Sequence, residues 1–136
     1  MSSPALTAAL RTALARRETP EIVLAYLFGS EARGEAAAGS DVDVGVLAMS
    51  PLDLLALGTL QETLSLATGR QVDVVDLSAA PPLLLGEVAR EGVPFLVKDR
   101  EAQLDFELDA LRRWEDTRFL RRQQQELLRE RALRGR

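Results

Sequence analysis

The sequence predicts an α/β domain, a small β-sheet flanked by helices. Three patterns carry that expectation. Ile22 to Phe28 (IVLAYLF) is a short, almost wholly apolar run between Pro20-Glu21 and Gly29-Ser30, as expected of a strand covered on both faces. Asp41 to Ala48 (DVDVGVLA) alternates cleanly, the signature of a strand with two different faces. Leu6, Leu10 and Leu14 recur every four residues, which gives a helix one apolar face. Helices alternating with strands imply helical layers packed on a sheet. The strand order is not legible from these patterns.

The elements follow in order. Ser3 is placed to cap the first helix, with Pro4 at its first position and its end near Arg17-Glu18. After the strand at Ile22 to Phe28, the small polar stretch Glu31 to Ala38 reads as a short helix, and Gly39-Ser40 as a turn. Ser50-Pro51-Leu52-Asp53 has the form of a capping box, followed by a helix with apolar positions at Leu55, Leu60, Leu64 and Leu66 and a stop at Gly69. Val72 to Leu77 (VDVVDL) reads as a third strand. Pro81-Pro82 opens a helix over Leu83 to Glu91 that Gly92 ends, and Pro94 to Val97 fits an edge strand, where proline is tolerated. From Asp99 to about Arg131 the pattern is a long polar helix, bent or broken, sparsely lined by Leu, Phe and Trp114.

Composition narrows the chemistry. The 136 residues suit a single domain, with residues 1–98 as its core and 99–136 as a helical extension of the same unit. There is no cysteine and no histidine, which excludes disulfides, thiol catalysis, histidine bases and the usual transition-metal sites. A metal would have to sit on carboxylates, which favours magnesium, manganese or calcium. The chain has one lysine, Lys98, and one tyrosine, Tyr26. Net charge is −4, with an acidic body and an arginine-rich tail, a poor match for direct nucleic-acid binding. No apolar run is long enough to span a membrane. Met1-Ser2-Ser3-Pro4 does not resemble an export signal, so a cytoplasmic location is expected.

The informative stretch runs from Gly29 to Val46. Asp41 and Asp43 are two apart on a strand, so both carboxylates share one face, while Val42, Val44 and Val46 face the core. Like charges side by side on a strand are costly, and a divalent cation would compensate. Asp73 adds a carboxylate on another apolar strand; if the two strands pair, three carboxylates converge. Asp76 faces the opposite side from Asp73 and could satisfy the Ser78-Ala79 turn, so Asp73 is the preferred third member. Gly29 allows a bulky ligand close to the backbone, and Ser30 can donate its hydroxyl. Arg33 could reach phosphate with its forked donors; the alternative is a salt-bridged surface arginine.

Gly29-Ser30, ten intervening residues, then Asp41-Val42-Asp43 resembles the signature of the polymerase-beta-like nucleotidyltransferase superfamily. More closely, the chain is similar to the MNT-type (minimal nucleotidyltransferase) antitoxins of HEPN/MNT toxin–antitoxin pairs. The likeness extends through Ala32-Arg33-Gly34, Ser40, Val72 to Leu77, Ala80-Pro81-Pro82, Glu87-Val88 and Arg90-Glu91-Gly92, and loosely into the tail at Asp99-Arg100-Glu101 and Phe106. The resemblance implies a mixed sheet and a transfer of AMP from ATP to a hydroxyl of a HEPN toxin, a tyrosine, with release of pyrophosphate. It implies that Gly29, Ser30 and Arg33 hold the triphosphate, that Asp41, Asp43 and Asp73 are catalytic and bind Mg²⁺, and that the chain works in a hetero-oligomer. One position departs from the pattern. Relatives often carry an apolar or aromatic residue where this chain has Glu31, and an acid beside the phosphate turn repels ATP unless it points away. An antitoxin that acts by binding alone, and a small-molecule nucleotidyltransferase, are the alternative readings. The last helix is either a docking element for the partner or a helix packed on its own sheet.

Overall fold

Ile22–Phe28 forms β1, and its apolar run is buried as its composition demands, every residue but Val23 being shielded from solvent. The computed structural model describes residues 3–16, 19–37 and 39–135. Around β1 stand β2 (Val42–Ala48), β3 (Val72–Asp76) and β4 (Val93–Val97), in the order β3-β2-β1-β4. β1 is antiparallel to both its neighbours, and β2 is parallel to β3, so the sheet is mixed. The helices are α1 (Ser3–Leu14), α2 (Ser30–Arg33), α3 (Leu54–Thr68), α4 (Pro82–Glu91), α5 (Arg100–Asp116) and α6 (Arg118–Arg134). The readings of Met1-Ser2 and of a helix end at Arg17-Glu18 lie outside the described residues, as does the side chain of Ser3. Among the described residues no helix is long and apolar enough to cross a membrane.

Each sheet face has its own core. Leu6, Leu10 and Leu14 of α1 and Leu60 and Leu64 of α3 pack on Ile22, Leu27, Val42, Val44, Val46 and Val72. On the other face Leu85 and Val88 of α4 and Ala110 of α5 cover Leu24, Tyr26, Phe28 and Leu77. Period-2 alternation along β2 therefore sends the valines to the first core and Asp43 toward the second face. Of the four apolar positions expected in α3, Leu55 and Leu66 are exposed instead. Both lie about 140° and 120° round the helix from Leu60, off the buried stripe.

Two local expectations are corrected. Helix α3 is capped by Asp53, not Ser50: the Asp53 carboxylate accepts from the Ala56 amide at 2.7 Å. The Leu52 amide donates to Asp76 at 3.0 Å, which holds the chain ahead of Asp53 out of the helix. The helix expected over Glu31 to Ala38 is a single turn, Ser30–Arg33, ended by Gly34 in the left-handed region at φ 70°; Ala38 itself lies outside the described residues. The long C-terminal helix is broken at Thr117, whose hydroxyl donates to the Trp114 carbonyl at 2.6 Å. That bond occupies a carbonyl an unbroken helix would use.

Trp114 is neither free nor fully buried. The guanidinium groups of Arg90 and Arg121 both stack on its ring, 4.2 and 4.0 Å from the ring centroid. It also rests on Gly86, where an added Cβ would overlap Trp114 Cγ and Cδ1. Gly86 is thus a point of close approach between α4 and α5. Gly86→Ala is expected to cost about 1–3 kcal/mol through overpacking. Urea unfolding followed by the fluorescence of the single tryptophan would measure it, and an unchanged midpoint would refute this reading of the contact.

Candidate active site

Strand pairing brings the carboxylates together. In the parallel β2–β3 register Asp43 lies directly opposite Asp73. Paired strands are about 4.8 Å apart, so the two carboxylates stand side by side on one face. Asp41 lies just before β2 and is exposed, two residues from Asp43 on the same side. On β1, Phe28 is the cross-strand neighbour of Asp43, so the turn that follows Phe28 falls beside the same carboxylate.

That turn begins with Gly29, at φ 71° and ψ −149°, a conformation that L side chains rarely adopt. A Cβ there would collide with Oδ2 of Asp43. Gly29 is therefore needed twice, for its backbone and for the space beside Asp43. It forms the N-cap of α2 with no side chain on the first amides, and Ser30 opens the turn.

The electrostatics of Asp43 reflect this crowding. Its carboxyl is pushed above the ordinary carboxylate value, first by burial, then by Asp73, Glu87 and Asp41; Arg33 opposes the shift. Hard oxygen donors that repel one another are the donor set a small divalent cation accepts. Among the described residues no three acidic side chains are drawn together into a ready-made metal cage. Carboxylates lacking a counter-charge are expected to splay apart.

Arg33 reaches the same region but is already engaged. Its Nε donates to Glu35 at 3.0 Å, and Nη1 lies 3.6 Å from Glu87 and 3.8 Å from Glu91. It spans α2 and α4 and is more than one-third exposed. The salt-bridged alternative for Arg33 is thus observed, and its charge also acts on Asp43. Asp76 is placed otherwise. It is buried, and its oxygens accept from the Leu52 amide, the Ser78 amide and the Ser78 hydroxyl at 3.0, 3.0 and 2.7 Å. Asp76 ties the turn after β3 to the entry of α3. The lone tyrosine and lysine lie elsewhere: Tyr26 donates to Glu107 at 2.9 Å inside the second core, its hydroxyl held above the ordinary phenol value by burial and by Glu107. Lys98 pairs with Glu21 at the far end of β1.

Two charged residues of this region were given no site role from the sequence, although Glu87 lies in a stretch that carries the family likeness. Glu87 faces Asp43 from α4; its spacing of four from Glu91 on one helix face was the available signal. Arg70, just after the left-handed Gly69 cap of α3, forms an ion pair with Glu31. No local pattern marks that pairing, since the two residues meet only through the fold.

The Polymerase beta, Nucleotidyltransferase family matches residues 12–101, about two-thirds of the chain. The chain belongs to this nucleotidyltransferase family. Within it the chain is similar to protein adenylyltransferase MntA of Shewanella oneidensis, 39% identical over 79 residues, or 58% of this chain. The matched stretch spans 57% of that relative's length. A solved toxin–antitoxin structure with AMP-PNP aligns with 91% of this nucleotidyltransferase and 96% of its own chain, at 30% identity and a TM-score of 0.72. A structure of a tri-AMPylated Shewanella oneidensis HEPN toxin in complex with MNT antitoxin aligns with 93% of this chain and 96% of its own. There the identity is 28% and the TM-score 0.67. The mixed sheet and the C-terminal helices of this nucleotidyltransferase are those of an MNT-type fold.

Proposed function

We propose that this chain is the antitoxin of a HEPN/MNT pair and transfers AMP from ATP to a tyrosine hydroxyl of its partner toxin. The observation that carries the reading is Asp43 in register with Asp73, with Gly29 held open against the Asp43 carboxylate. The adenylyltransferase relative and the AMP-PNP and AMPylated-toxin structures support it. Residues 1–98 serve as the transferase core, and 99–136 extend it, α5 packing on α4.

Asp41, Asp43 and Asp73 would hold Mg²⁺, which supplies charge neutralisation for the triphosphate and lowers the pKa of the acceptor hydroxyl. The chain's own residues do the rest. Gly29 leaves the backbone bare beside the phosphates, and Ser30 and the first amides of α2 donate to them. Arg33 exchanges part of its carboxylate contacts for phosphate oxygens, which suit its fork equally well. The acceptor oxygen attacks the α-phosphorus, the bond to the bridging oxygen breaks and pyrophosphate leaves. The hydroxyl proton passes to the Asp73 carboxylate and then to water. Binding without catalysis was favoured by an unbalanced charge at Glu31, and its pairing with Arg70 removes that reason.

The test is the intact mass of the partner HEPN toxin after incubation with this protein, ATP and Mg²⁺. Mass gains of one or more AMP units are expected, lost in EDTA and with Asp41→Asn/Asp43→Asn. No gain, while the double variant still binds the toxin tightly, would overturn transfer and leave an antitoxin that works by binding.

A further inference from the structure

We infer that Arg70 is a positioning residue of the nucleotide site, which joins its two halves and cancels the charge of Glu31. The inference rests on the nucleotide reading above and goes beyond it by assigning a role to a pair outside the carboxylates.

Glu31 follows Ser30 in α2, and its side chain is only 11% exposed. A carboxylate so enclosed is costly unless paired, and one beside a triphosphate site repels the ligand. The partner comes from another element. Arg70 follows the Gly69 cap of α3, is 14% exposed, and forms an ion pair with Glu31 through Nη2. The same nitrogen donates to the Ser40 carbonyl at 2.8 Å. Ser40 immediately precedes Asp41, and its hydroxyl donates to the Ala37 carbonyl at 2.8 Å, closing the loop between α2 and β2. One guanidinium therefore touches the segment carrying Gly29-Ser30 and the segment carrying Asp41 and Asp43.

Arg70 Nε is buried and makes no hydrogen bond among the described residues. A buried donor left unmet is a standing cost, so the position is not explained by Arg70's own satisfaction. What it gains is the bridge and the charge balance.

The experiment is titration of the full chain with ATP and Mg²⁺, read as Kd, with thermal melting alongside. The variants are Arg70→Met, Glu31→Gln and the double. Arg70→Met leaves Glu31 unbalanced and is expected to raise Kd roughly tenfold. Glu31→Gln leaves Arg70 in excess and is expected to lower Kd by roughly threefold. The double variant removes both charges but also the bridge to Ser40, so its Kd is expected to recover part of the way from Arg70→Met towards wild type. A purely structural pair gives a different pattern. Both single variants then weaken binding or leave it unchanged, and the double does not recover; either result overturns the inference. Should Arg70→Met fail to melt cooperatively, the direction of the Glu31→Gln change and the Kd of the double decide alone. If wild type itself does not bind ATP, the nucleotide reading falls and takes this one with it. If wild type binds and the opposed shifts are missing, only this inference falls.

Discussion

Asp43→Asn is expected to abolish AMP transfer and to make the protein harder to unfold. The loss of activity should be on the order of 10³-fold, since in the proposed reaction Asp43 would help hold the Mg²⁺ that neutralises the triphosphate. The gain in stability follows from the same crowding. The folded state holds the Asp43 carboxyl above its ordinary value, through burial and through Asp73, Glu87 and Asp41. The folded protein therefore binds more protons than the unfolded chain between those two values, and stability falls as pH rises through that window. Above the window the wild type carries the full penalty; below it the carboxyl is protonated in both states and the penalty vanishes. Asparagine removes the charge at every pH. The variant's melting temperature should exceed that of wild type at pH 7, by about 3 °C for each kcal/mol relieved, and the gap should close in acid. Toxin labelling and melts at both pH values check the two halves. A variant less stable than wild type at pH 7 would contradict the electrostatic account.

Gly29→Ala acts on the same carboxylate from the other side. The backbone at φ 71° and ψ −149° is strained for any residue with a side chain, which costs about 2 kcal/mol. The new methyl must also share space with Oδ2 of Asp43, so the flexible carboxylate has to move from its place beside Asp73. A displacement of about 1 Å in a reacting constellation is worth roughly 10²-fold in rate. Transfer is therefore expected to fall by about that factor, beyond what the stability loss explains. Gly34→Ala is the control. It sits at φ 70° with open space around its Cβ position, so it should cost about 1 kcal/mol and leave transfer intact. Equal activities for the two variants would dissociate Gly29 from the site.

These positions show which parts of the molecule the residue pattern reveals. β1 is legible because Ile22 to Phe28 can be nothing but interior, and the two faces of β2 because Val42, Val44 and Val46 alternate with Asp43. The side-by-side placement of Asp43 and Asp73 required one further condition, that β2 and β3 pair, and the structure meets it in parallel register. What escaped detection depends on residues far apart in the chain. Asp53 caps α3 in place of Ser50 because Asp76, from the end of β3, holds the Leu52 amide. Glu31 reads as an isolated charge until the fold delivers Arg70. Trp114 reads as one more apolar position along the tail helix, whereas α4 and α6 each bring an arginine to its ring.

Helix α6 contributes to neither core. None of its described residues is buried, and Phe119, Leu120, Leu127, Leu128 and Leu133 are each more than half exposed. Apart from Arg121, which stacks on Trp114, substitutions along it escape the packing constraint that governs β1 or α4, and they lie outside the strands that carry the carboxylates. The molecule thus separates a packed sheet from an outer helix that neither core needs. The carboxylates are fixed by the sheet, while most of the outermost helix can be rewritten in small steps without disturbing either core. A lineage could exchange the surface it shows the outside world and keep its reaction unchanged.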